Sequence, residues 1–299
     1  MAILIDDATR IVVQGITGRE ATTFTKHSLD YGAKVVAGCT PGKGGESIYG
    51  VPVYDCVAEA VERHGANTSV ISVPAGFVRG AVYEAVDAGV QLVVVVTERV
   101  PRHDVVDFIA FANERGARIV GPNSLGILSP PRAKAGMVGG PAADVRKAYT
   151  EGPVGIVSRS GGMTTEIANL LTQAGIGQST CVSIGGDPMV GTTYMDVLPL
   201  FQEDPATQAM VIFCEPGGNA EETFSEFYVK GGSTLPVFAF IAGRFVDEMP
   251  GMRFGHAAVL VEGERGSTRT KMAAMRAAGI HVVEELHDLV GGLRAVLKT

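Results

Sequence analysis

The sequence contains few cysteines, and they are widely spaced. The four residues Cys39, Cys56, Cys181 and Cys214 form no C-x-x-C pair. This spacing excludes the usual zinc patterns, so no metal site is expected on the chain, and it provides no disulfide framework. We therefore expect buried thiols in a reducing compartment and a cytoplasmic protein.

Long apolar runs and clusters of basic residues are also missing. No apolar run reaches the ~18 residues of a membrane span, and the N-terminus MAILIDDATR lacks the form of a signal peptide. The net charge is −7 and no run of Lys and Arg occurs, which argues against a nucleic-acid-binding surface. Neither a membrane nor a nucleic acid is therefore expected as a partner.

Glycine, by contrast, is abundant. The 299 residues include 39 glycines, many of them at the ends of apolar runs, which indicates sharp turns between strands and helices. Hydrophobic residues make up 46% of the chain and charged residues 19%. This composition is sufficient for the buried cores of one large or two ordinary domains.

The first half of the chain alternates short apolar runs with helix-like segments. The predicted strands are Ile11–Gln14, Lys34–Cys39, Ser69–Val73, Leu92–Val96 and Arg118–Gly121. The predicted helices are Arg19–Tyr31, Val78–Gly89 and Val105–Gly116. Nearly continuous Val and Ile runs between helices are typical of a parallel sheet that is buried on both faces. Loops at the carboxyl edge of such a sheet are where ligands bind.

Two glycine-rich turns in this half could bind phosphate. The first, GITG at 15–18, resembles the dinucleotide fingerprint, but Thr17 and Ala21 replace its second and third glycines. This mismatch disfavours a nicotinamide oxidoreductase, although free amides at a helix N-terminus bind a phosphate of any molecule. The second turn, 38–45, carries Lys43 without the spacing of a Walker loop. Lys43 is either a phosphate clamp or a solvated charge.

A second α/β series follows a segment rich in Pro, Gly and basic residues at 129–152. We interpret that segment as a linker between a domain at 1–128 and a domain at 153–299. The second series opens with a strand at Gly155–Val157 and a helix that runs to about Ala174, for which Ser160 or Thr164 is the predicted N-cap. Further strands are predicted at Ser179–Ile184, Ala209–Cys214, Val237–Ile241, Ala257–Val261 and His281–Val283.

His256 stands directly before the last but one of these strands. Its neighbours Gly255, Ala257 and Ala258 are small, so we expect an unshielded imidazole at a junction between loop and strand. A neutral imidazole is a good nucleophile. This stretch alone leaves two interpretations open, a nucleophile or a histidine that only forms hydrogen bonds at a strand edge.

Seven motifs occur in a characteristic order along the chain. They are GITG at 15–18, TPGKGG at 40–45, GPN at 121–123, IVSRSG at 156–161, CVSIGGDP at 181–188, E-x-GG-x-AEE at 215–222 and GHA at 255–257. Together they closely resemble the α subunit of succinyl-CoA synthetase (succinate–CoA ligase), nearly from end to end. The resemblance implies an α/β fold with a Rossmann-like CoA-binding domain followed by a flavodoxin-like domain, both with mainly parallel sheets.

The resemblance also implies roles for individual residues. His256 takes the place of the histidine that is phosphorylated during turnover, and Glu215 that of its hydrogen-bonding glutamate. The implied CoA contacts are Thr17, Gly18, Arg19, Glu20, Lys43, Val96, Thr97 and Glu98. The helix start that faces the phosphohistidine, where substrate and phosphate bind, takes in Ser160, Gly161, Gly162 and Thr165.

The implied activity is that of an acid–thiol ligase. A neutral imidazole accepts the γ-phosphate of a nucleoside triphosphate, the phosphoryl group passes to a carboxylic acid, and CoA displaces phosphate to give an acyl-CoA. The implied cofactors are coenzyme A and ATP or GTP with Mg²⁺. The nucleotide is expected mainly on an ATP-grasp β subunit, in an αβ or α2β2 assembly.

Departures from the family pattern concern the acid. The family's S-G-T-L-T-Y-E is here SGGMTTE at 160–166, so Thr165 replaces a tyrosine, and the helix start is similar to that of ATP citrate lyase. The lost phenol predicts a larger pocket, which leaves malate and citrate as alternatives to succinate. A CoA-binding regulatory protein without turnover is a further alternative. The presence of His256, Glu215 and the helix start favours the enzyme.

Overall fold

Two sheets of mainly parallel strands organise the chain. The computed structural model describes residues 2–249, 255, 256, 259 and 266–298. Within these residues each sheet contains seven strands, with helices between successive parallel strands. The predicted α/β fold with two mainly parallel sheets is confirmed. None of the helices described in these ranges is long and apolar enough to cross a membrane.

The first sheet has the Rossmann strand order. Its strands are β1 (Ile11–Gln14), β2 (Val35–Cys39), β3 (Ser47–Ile48), β4 (Val51–Tyr54), β5 (Thr68–Ile71), β6 (Leu92–Val95) and β7 (Arg118–Val120). They are ordered β3-β4-β2-β1-β5-β6-β7, and only β3 pairs antiparallel with its neighbour. Strands β2 to β4 lie on one side of β1, and the chain then returns to form β5 to β7 on the other side. The turn after β1 therefore lies at the switch point, where ligands bind in such sheets.

Helices cover both faces of the first sheet. They are α1 (Arg19–Tyr31), α2 (Val57–His64), α3 (Val78–Asp87) and α4 (Arg102–Glu114). Strands β1 and β6 are buried at every position, as their continuous apolar sequences predict. One face of the sheet shares an apolar core with α2, α3 and α4. The other face belongs to a core that continues into the second half of the chain, where Val94 and Ile127 are both fully buried.

The second sheet has the flavodoxin strand order. Its strands are β8 (Gly126–Ser129), β9 (Ala133–Gly136), β10 (Glu151–Ser158), β11 (Gln178–Ser183), β12 (Ala209–Cys214), β13 (Val237–Ile241) and β14 (His281–Val283). They are ordered β14-β13-β12-β10-β11-β8-β9. The parallel strands alone follow the order β11-β10-β12-β13-β14, which places the switch point between β10 and β12. The loops after these two strands should therefore form the binding edge.

The helices of the second half are α5 (Ala142–Ala148), α6 (Gly161–Gln173), α7 (Tyr194–Glu203), α8 (Ala220–Lys230), α9 (Thr268–Ala277) and α10 (Asp288–Val296). Helix α6 begins where expected, because the hydroxyl of Ser160 accepts a hydrogen bond from the amide of Met163 at 3.4 Å. The predicted strand Ala257–Val261 lies outside the described residues, apart from Val259, which is buried.

The segment 129–152, which we interpreted as a linker, contains regular structure. Strand β9 and helix α5 lie within it, and β8 and β9 form an antiparallel hairpin on β11. This hairpin extends the second sheet, because its backbone groups pair with those of β11. Helix α5, which follows the hairpin, contacts the first half, where Arg146 donates hydrogen bonds to the backbone carbonyls of Asp30 and Tyr31. We therefore propose that the second domain begins at Gly126.

Candidate active site

A histidine and a glutamate meet at the carboxyl edge of the second sheet. Glu215 is the first residue after β12, and its carboxylate oxygens lie 2.8 and 2.9 Å from Nδ1 of His256. An ionised carboxylate only accepts hydrogen bonds, so Nδ1 is the donor. The neutral ring then carries its lone pair on Nε2. Nδ1 is thus held by Glu215, and Nε2 is available for reaction.

The imidazole is shielded more than its small sequence neighbours predict. The His256 side chain is 28% exposed, because the loop after β11 lies against its ring. A Cβ atom on Gly186 would lie 2.5 Å from Cγ and Cδ2 of the ring. Only glycine permits this approach. The loop therefore covers the imidazole, the Glu215 carboxylate holds its Nδ1 edge, and the ring is not open on all sides. The expectation of an unshielded ring is wrong.

An asparagine from the first half holds this loop in place. Asn123 follows β7, and its side-chain amide donates a hydrogen bond to the Asp187 carboxylate at 3.1 Å. The backbone carbonyl of Asn123 accepts a hydrogen bond from the backbone amide of Gly186 at 3.3 Å. Burial raises the pKa of the Asp187 carboxyl, and the bond from Asn123 opposes that rise. The GPN and GGDP motifs of the sequence therefore meet beside the histidine.

A buried arginine adds positive charge behind the same loop. Arg159, between β10 and α6, is 8% exposed and donates a hydrogen bond to the carbonyl of Asp187 at 3.2 Å. Burial by itself lowers the pKa of the guanidinium, but nearby acids, Glu221 foremost, raise it overall. Arg159 therefore remains a cation within the site.

The pKa of His256 reflects these neighbours. The hydrogen bond to Glu215 is the largest influence and raises the pKa, and burial of the ring opposes it. The charge of Glu215 also raises it, Arg159 lowers it and Asp187 raises it, with a net pKa above the ordinary value. Glu215 thus stabilises positive charge on the ring, which is useful for an imidazole that forms a bond through Nε2.

The start of α6 lies at the same edge as Glu215. Strand β10 leads into α6 and is paired directly with β12, the strand that ends at Glu215. Gly161 packs so tightly on Leu125 that a Cβ would lie 2.1 Å from its Cγ, whereas Gly162 is exposed. The N-terminal amides of a helix of this length attract negative charge.

Thr165 is engaged with a neighbouring phenol. Its hydroxyl lies 2.8 Å from the hydroxyl of Tyr149, which is 3% exposed. Tyr149 comes from the stretch between α5 and β10, and its ring packs into the apolar core beside α6. A tyrosine is therefore adjacent to this helix start, although it comes from a different part of the chain than in the family pattern.

Two adjoining cavities lie at the carboxyl edge of the first sheet. The larger, of about 530 Å³, includes Thr17 and Gly18 in its wall. The second, of about 450 Å³, is lined by Gly18, Arg19, Glu20, Val96, Thr97, Glu98 and Asn123, among others. The two cavities share Gly18 and the segment 72–74. Together they form a long groove that starts at the turn after β1 and reaches Asn123, the residue that holds the loop on His256.

Lys43 stands apart from this groove. It lies on an exposed turn, where its ammonium is 3.0 Å from the Glu46 carboxylate. The described residues that line the two cavities include its neighbours Thr40 and Pro41 but not Lys43 itself. Of the residues predicted to contact CoA, Lys43 is therefore the one that the structure does not bring to the groove.

Sequence reasoning overlooked the roles of four residues in this site. Asn123, Arg159 and Asp187 were present in the quoted motifs, but nothing in their local pattern assigned them a partner. The sequence around Tyr149 did not indicate a role in the site, because the contact of Tyr149 with Thr165 depends on how α5 packs against α6.

Comparisons with known proteins agree with the architecture. Residues 6–99 match the family model described as a CoA binding domain, and residues 157–281 match the one described as CoA-ligase. The chain is 48% identical over 298 residues to succinate–CoA ligase [ADP-forming] subunit alpha 1 of Archaeoglobus fulgidus, covering 100% of this chain and 99% of that one. The chain belongs to the family of succinate–CoA ligase α subunits.

Other members of this α-subunit family are similarly close. The corresponding subunit of Methanothermobacter thermautotrophicus is 44% identical over 99% of this chain and 97% of its own, and that of Aquifex aeolicus 45% identical over 100% and 95%. Among solved structures, ATP citrate lyase from Methanothrix soehngenii superposes with a TM-score of 0.90 at 23% identity, over 99% of this chain and 52% of that one. At that identity the likeness shows the shared fold alone.

We predict that the pKa of His256 in this α-subunit family member lies above its ordinary value of 6.5 and that Glu215→Gln lowers it. The amide keeps the shape of the side chain but removes its charge. Because the folded state favours the imidazolium, the pair stabilises the fold below the unfolded pKa and loses this contribution as pH rises through the folded pKa. NMR titration of the imidazole resonances, assigned with His256→Asn, measures both values. Equal values would eliminate Glu215 as the cause.

Proposed function

We propose that the chain is the α subunit of a succinate–CoA ligase and that His256 carries the phosphoryl group between nucleotide and acid. The observation that carries this proposal is the hydrogen bond between Nδ1 of His256 and the Glu215 carboxylate. It holds the ring in the tautomer whose Nε2 is nucleophilic, at a position where a helix N-terminus and a buried arginine supply positive charge.

In the first step Nε2 attacks the γ-phosphorus of a nucleoside triphosphate. The Nε2–phosphorus bond forms while the bond to the bridging oxygen breaks, and the nucleoside diphosphate leaves. Positive charge develops on the imidazole as its lone pair is used, and the Glu215 carboxylate stabilises it through the Nδ1 proton. No proton has to leave the ring at this stage.

The resulting phosphohistidine is negatively charged and needs positive surroundings that exist beforehand. The N-terminus of α6, from Ser160 and Gly161, supplies free amides and about half a unit of positive charge. Arg159 supplies a full charge from behind the loop. A carboxylate of the acid then attacks the phosphorus, the nitrogen–phosphorus bond breaks, and an acyl phosphate forms.

The long groove of the first half fits coenzyme A, an elongated molecule with phosphates at one end. The turn at Thr17, Gly18, Arg19 and Glu20 would hold the phosphates with its amides. Gly15 keeps this turn close to β5, because a Cβ there would lie 2.3 Å from the carbonyl of Ser72. Val96, Thr97 and Glu98 would line the path toward Asn123. The thiol of CoA supplies the sulfur that displaces phosphate from the acyl group.

A β subunit would complete the enzyme. Relatives at 44–48% identity carry the name of an α subunit, which supports a heteromeric assembly for this chain as well. We assign the binding of ATP or GTP with Mg²⁺ mainly to an ATP-grasp β partner, in an αβ or α2β2 assembly.

Succinate is the acid that the site supports best. The enlarged pocket predicted from Thr165 assumes that the space of the family's tyrosine is left open. The Thr165 hydroxyl is instead hydrogen-bonded to the buried Tyr149, which places a phenol beside this helix start although the family's tyrosine is absent. The three relatives compared above are named for succinate.

We predict that His256→Asn abolishes phosphoryl transfer and leaves CoA affinity unchanged. Asparagine lacks the Nε2 nucleophile, and the CoA groove lies on the other sheet. The measurement is the uptake of γ-labelled nucleoside triphosphate by the chain with its β partner, as acid-labile, base-stable label. His103→Asn, at an exposed histidine, is the control and should keep the label. Label on the His256→Asn chain would refute the assignment.

Lys43 does not line the groove in this structure, but its turn also carries Thr40 and Pro41, which do. We predict that Lys43 turns toward a bound phosphate, so that Lys43→Ala weakens CoA binding about ten- to a hundred-fold, because a charge-assisted phosphate contact contributes about 1.5–3 kcal/mol. Its exposed pairing with Glu46 is worth little and can be exchanged for a phosphate. Calorimetric titration with CoA measures the change. Lys26→Ala, at another exposed lysine with an acidic neighbour, is the control. An equal affinity for CoA in both variants would show that Lys43 is only a solvated charge.

We predict at least a ten-fold preference for succinate over malate and citrate in kcat/KM, or roughly 1.4 kcal/mol in transition-state terms. The assay is CoA-dependent phosphate release with the β partner present. Thr165→Val tests the reasoning, because it removes the hydroxyl that contacts Tyr149. We expect this variant to change kcat/KM for all three acids together more than it changes the order of preference among them. A preference for citrate or malate in the unaltered chain would restore the enlarged-pocket interpretation.

A further inference from the structure

A lysine without exposed side-chain surface contacts the segment that follows Glu215. Lys271 on α9 and Glu221 on α8 are both 0% exposed. The Lys271 ammonium lies 2.5 Å from the Glu221 carboxylate, 3.0 Å from that of Glu222 and 3.2 Å from the carbonyl of Gly218. All three of its donor hydrogens thus have acceptors on the segment that follows Glu215. Buried ion pairs add little net stability compared with apolar packing, so stability alone explains this cluster poorly.

Helix α9 also anchors the segment that carries His256. The carboxylate of Asp247 accepts hydrogen bonds from the amide and the hydroxyl of Thr268, both at 2.8 Å. His256 lies between these two positions in the sequence, so both ends of its segment are tied to the start of α9. The carbonyl of Gly266 additionally accepts a hydrogen bond from the amide of Gly217 at 2.8 Å.

One ammonium therefore links the two partners of the catalytic hydrogen bond. Lys271 belongs to the helix that anchors the histidine segment, and its three acceptors belong to the segment that begins with Glu215. Glu215 and His256 are 41 positions apart in the sequence, so their separation of 2.8 Å depends on how α8 and α9 are held together.

The second oxygen of Glu221 faces away from these contacts of Lys271. Within the part of the chain that the structure describes, Oε1 of Glu221 is buried and has no hydrogen-bond partner. Glu221 is also the acid that most strongly favours the charged form of Arg159, and Arg159 donates to the loop that lies on the imidazole. Glu221 is thus connected both to Lys271 and, through its charge, to Arg159.

We propose that Lys271 is a positioning residue, which through its three acceptors on Gly218, Glu221 and Glu222 sets the Glu215 carboxylate and the Arg159 cation around the imidazole of His256. The inference rests on the proposed function, in which that imidazole accepts a phosphoryl group. Two cations, Lys271 and Arg159, balance the two acids Glu221 and Glu222. These four formal charges sum to zero.

The test is the paired variant Lys271→Met/Glu221→Gln in the full chain with its β partner. It removes both charges together, because a single Lys271→Met would leave a buried carboxylate without its cation. We expect the rate of acid-labile phosphate uptake to fall at least ten-fold, while KM for the nucleotide and affinity for CoA change less than two-fold. Lys230→Met, at an exposed ion pair on α8, is the control and should keep the full rate.

The histidine pKa separates positioning from general weakening of the fold. The charged groups that face His256 are Glu215, Arg159 and Asp187, and the paired variant leaves all three in the chain. If Lys271 positions Glu215, the pKa of His256 moves toward 6.5 in NMR titration. A lower unfolding midpoint with an unchanged labelling rate and an unchanged His256 pKa would overturn the proposal.

Three further outcomes are decisive. If the paired variant does not fold, Glu222→Gln alters only the member of the cluster that is 27% exposed, and a rate equal to that of the unaltered chain would overturn the proposal. If the unaltered chain takes up no label, the proposed function fails and this inference fails with it. Label on the unaltered chain and equal label on a folded paired variant would refute only the role of Lys271.

Discussion

The site depends on a single hydrogen bond between an imidazole and a carboxylate. Glu215 holds Nδ1 of His256 at 2.8 Å, and this contact determines which ring nitrogen is free to react. An imidazole without such a partner exchanges between two tautomers and rotates about its side-chain bonds. The neighbouring elements support this contact, since they place the carboxylate, cover the ring or supply the positive charge that the proposed phosphoryl group would need.

Parallel sheet topology brings these elements together. In the second sheet β10 lies between β11 and β12, so the three segments that follow these strands emerge side by side at one edge. They are the start of α6, the loop with Gly186 and the segment with Glu215. Backbone amides, a close-packed glycine and a carboxylate therefore surround one point, although they are widely separated in the sequence. The first sheet repeats this principle with the glycine turn after β1.

The two halves of the chain are joined beside His256. Asn123 ends the first half and binds the loop that lies on His256, and the groove of the first sheet reaches the same residue. A ligand that fills this groove would thus approach the histidine along the contact between the halves. The β8–β9 hairpin strengthens this contact, because it belongs to the second sheet and packs on α1 of the first.

The sequence alone determined the local structure and the candidate residues. The bounds of α1, β12, β13 and β14 agree with the predicted segments, because periodicity and glycine turns are local signals. The sequence also limited the N-cap of α6 to Ser160 or Thr164, and the structure shows that Ser160 is the cap. The tertiary structure alone decided that 126–136 extends the second sheet, that Gly186 covers the imidazole and that Tyr149 reaches Thr165. It also decided that Lys271 is buried, whereas a lysine in a helical sequence is ordinarily expected at the surface. Each of these features joins residues distant in the chain, and such pairing depends on how elements pack rather than on the pattern within any one of them.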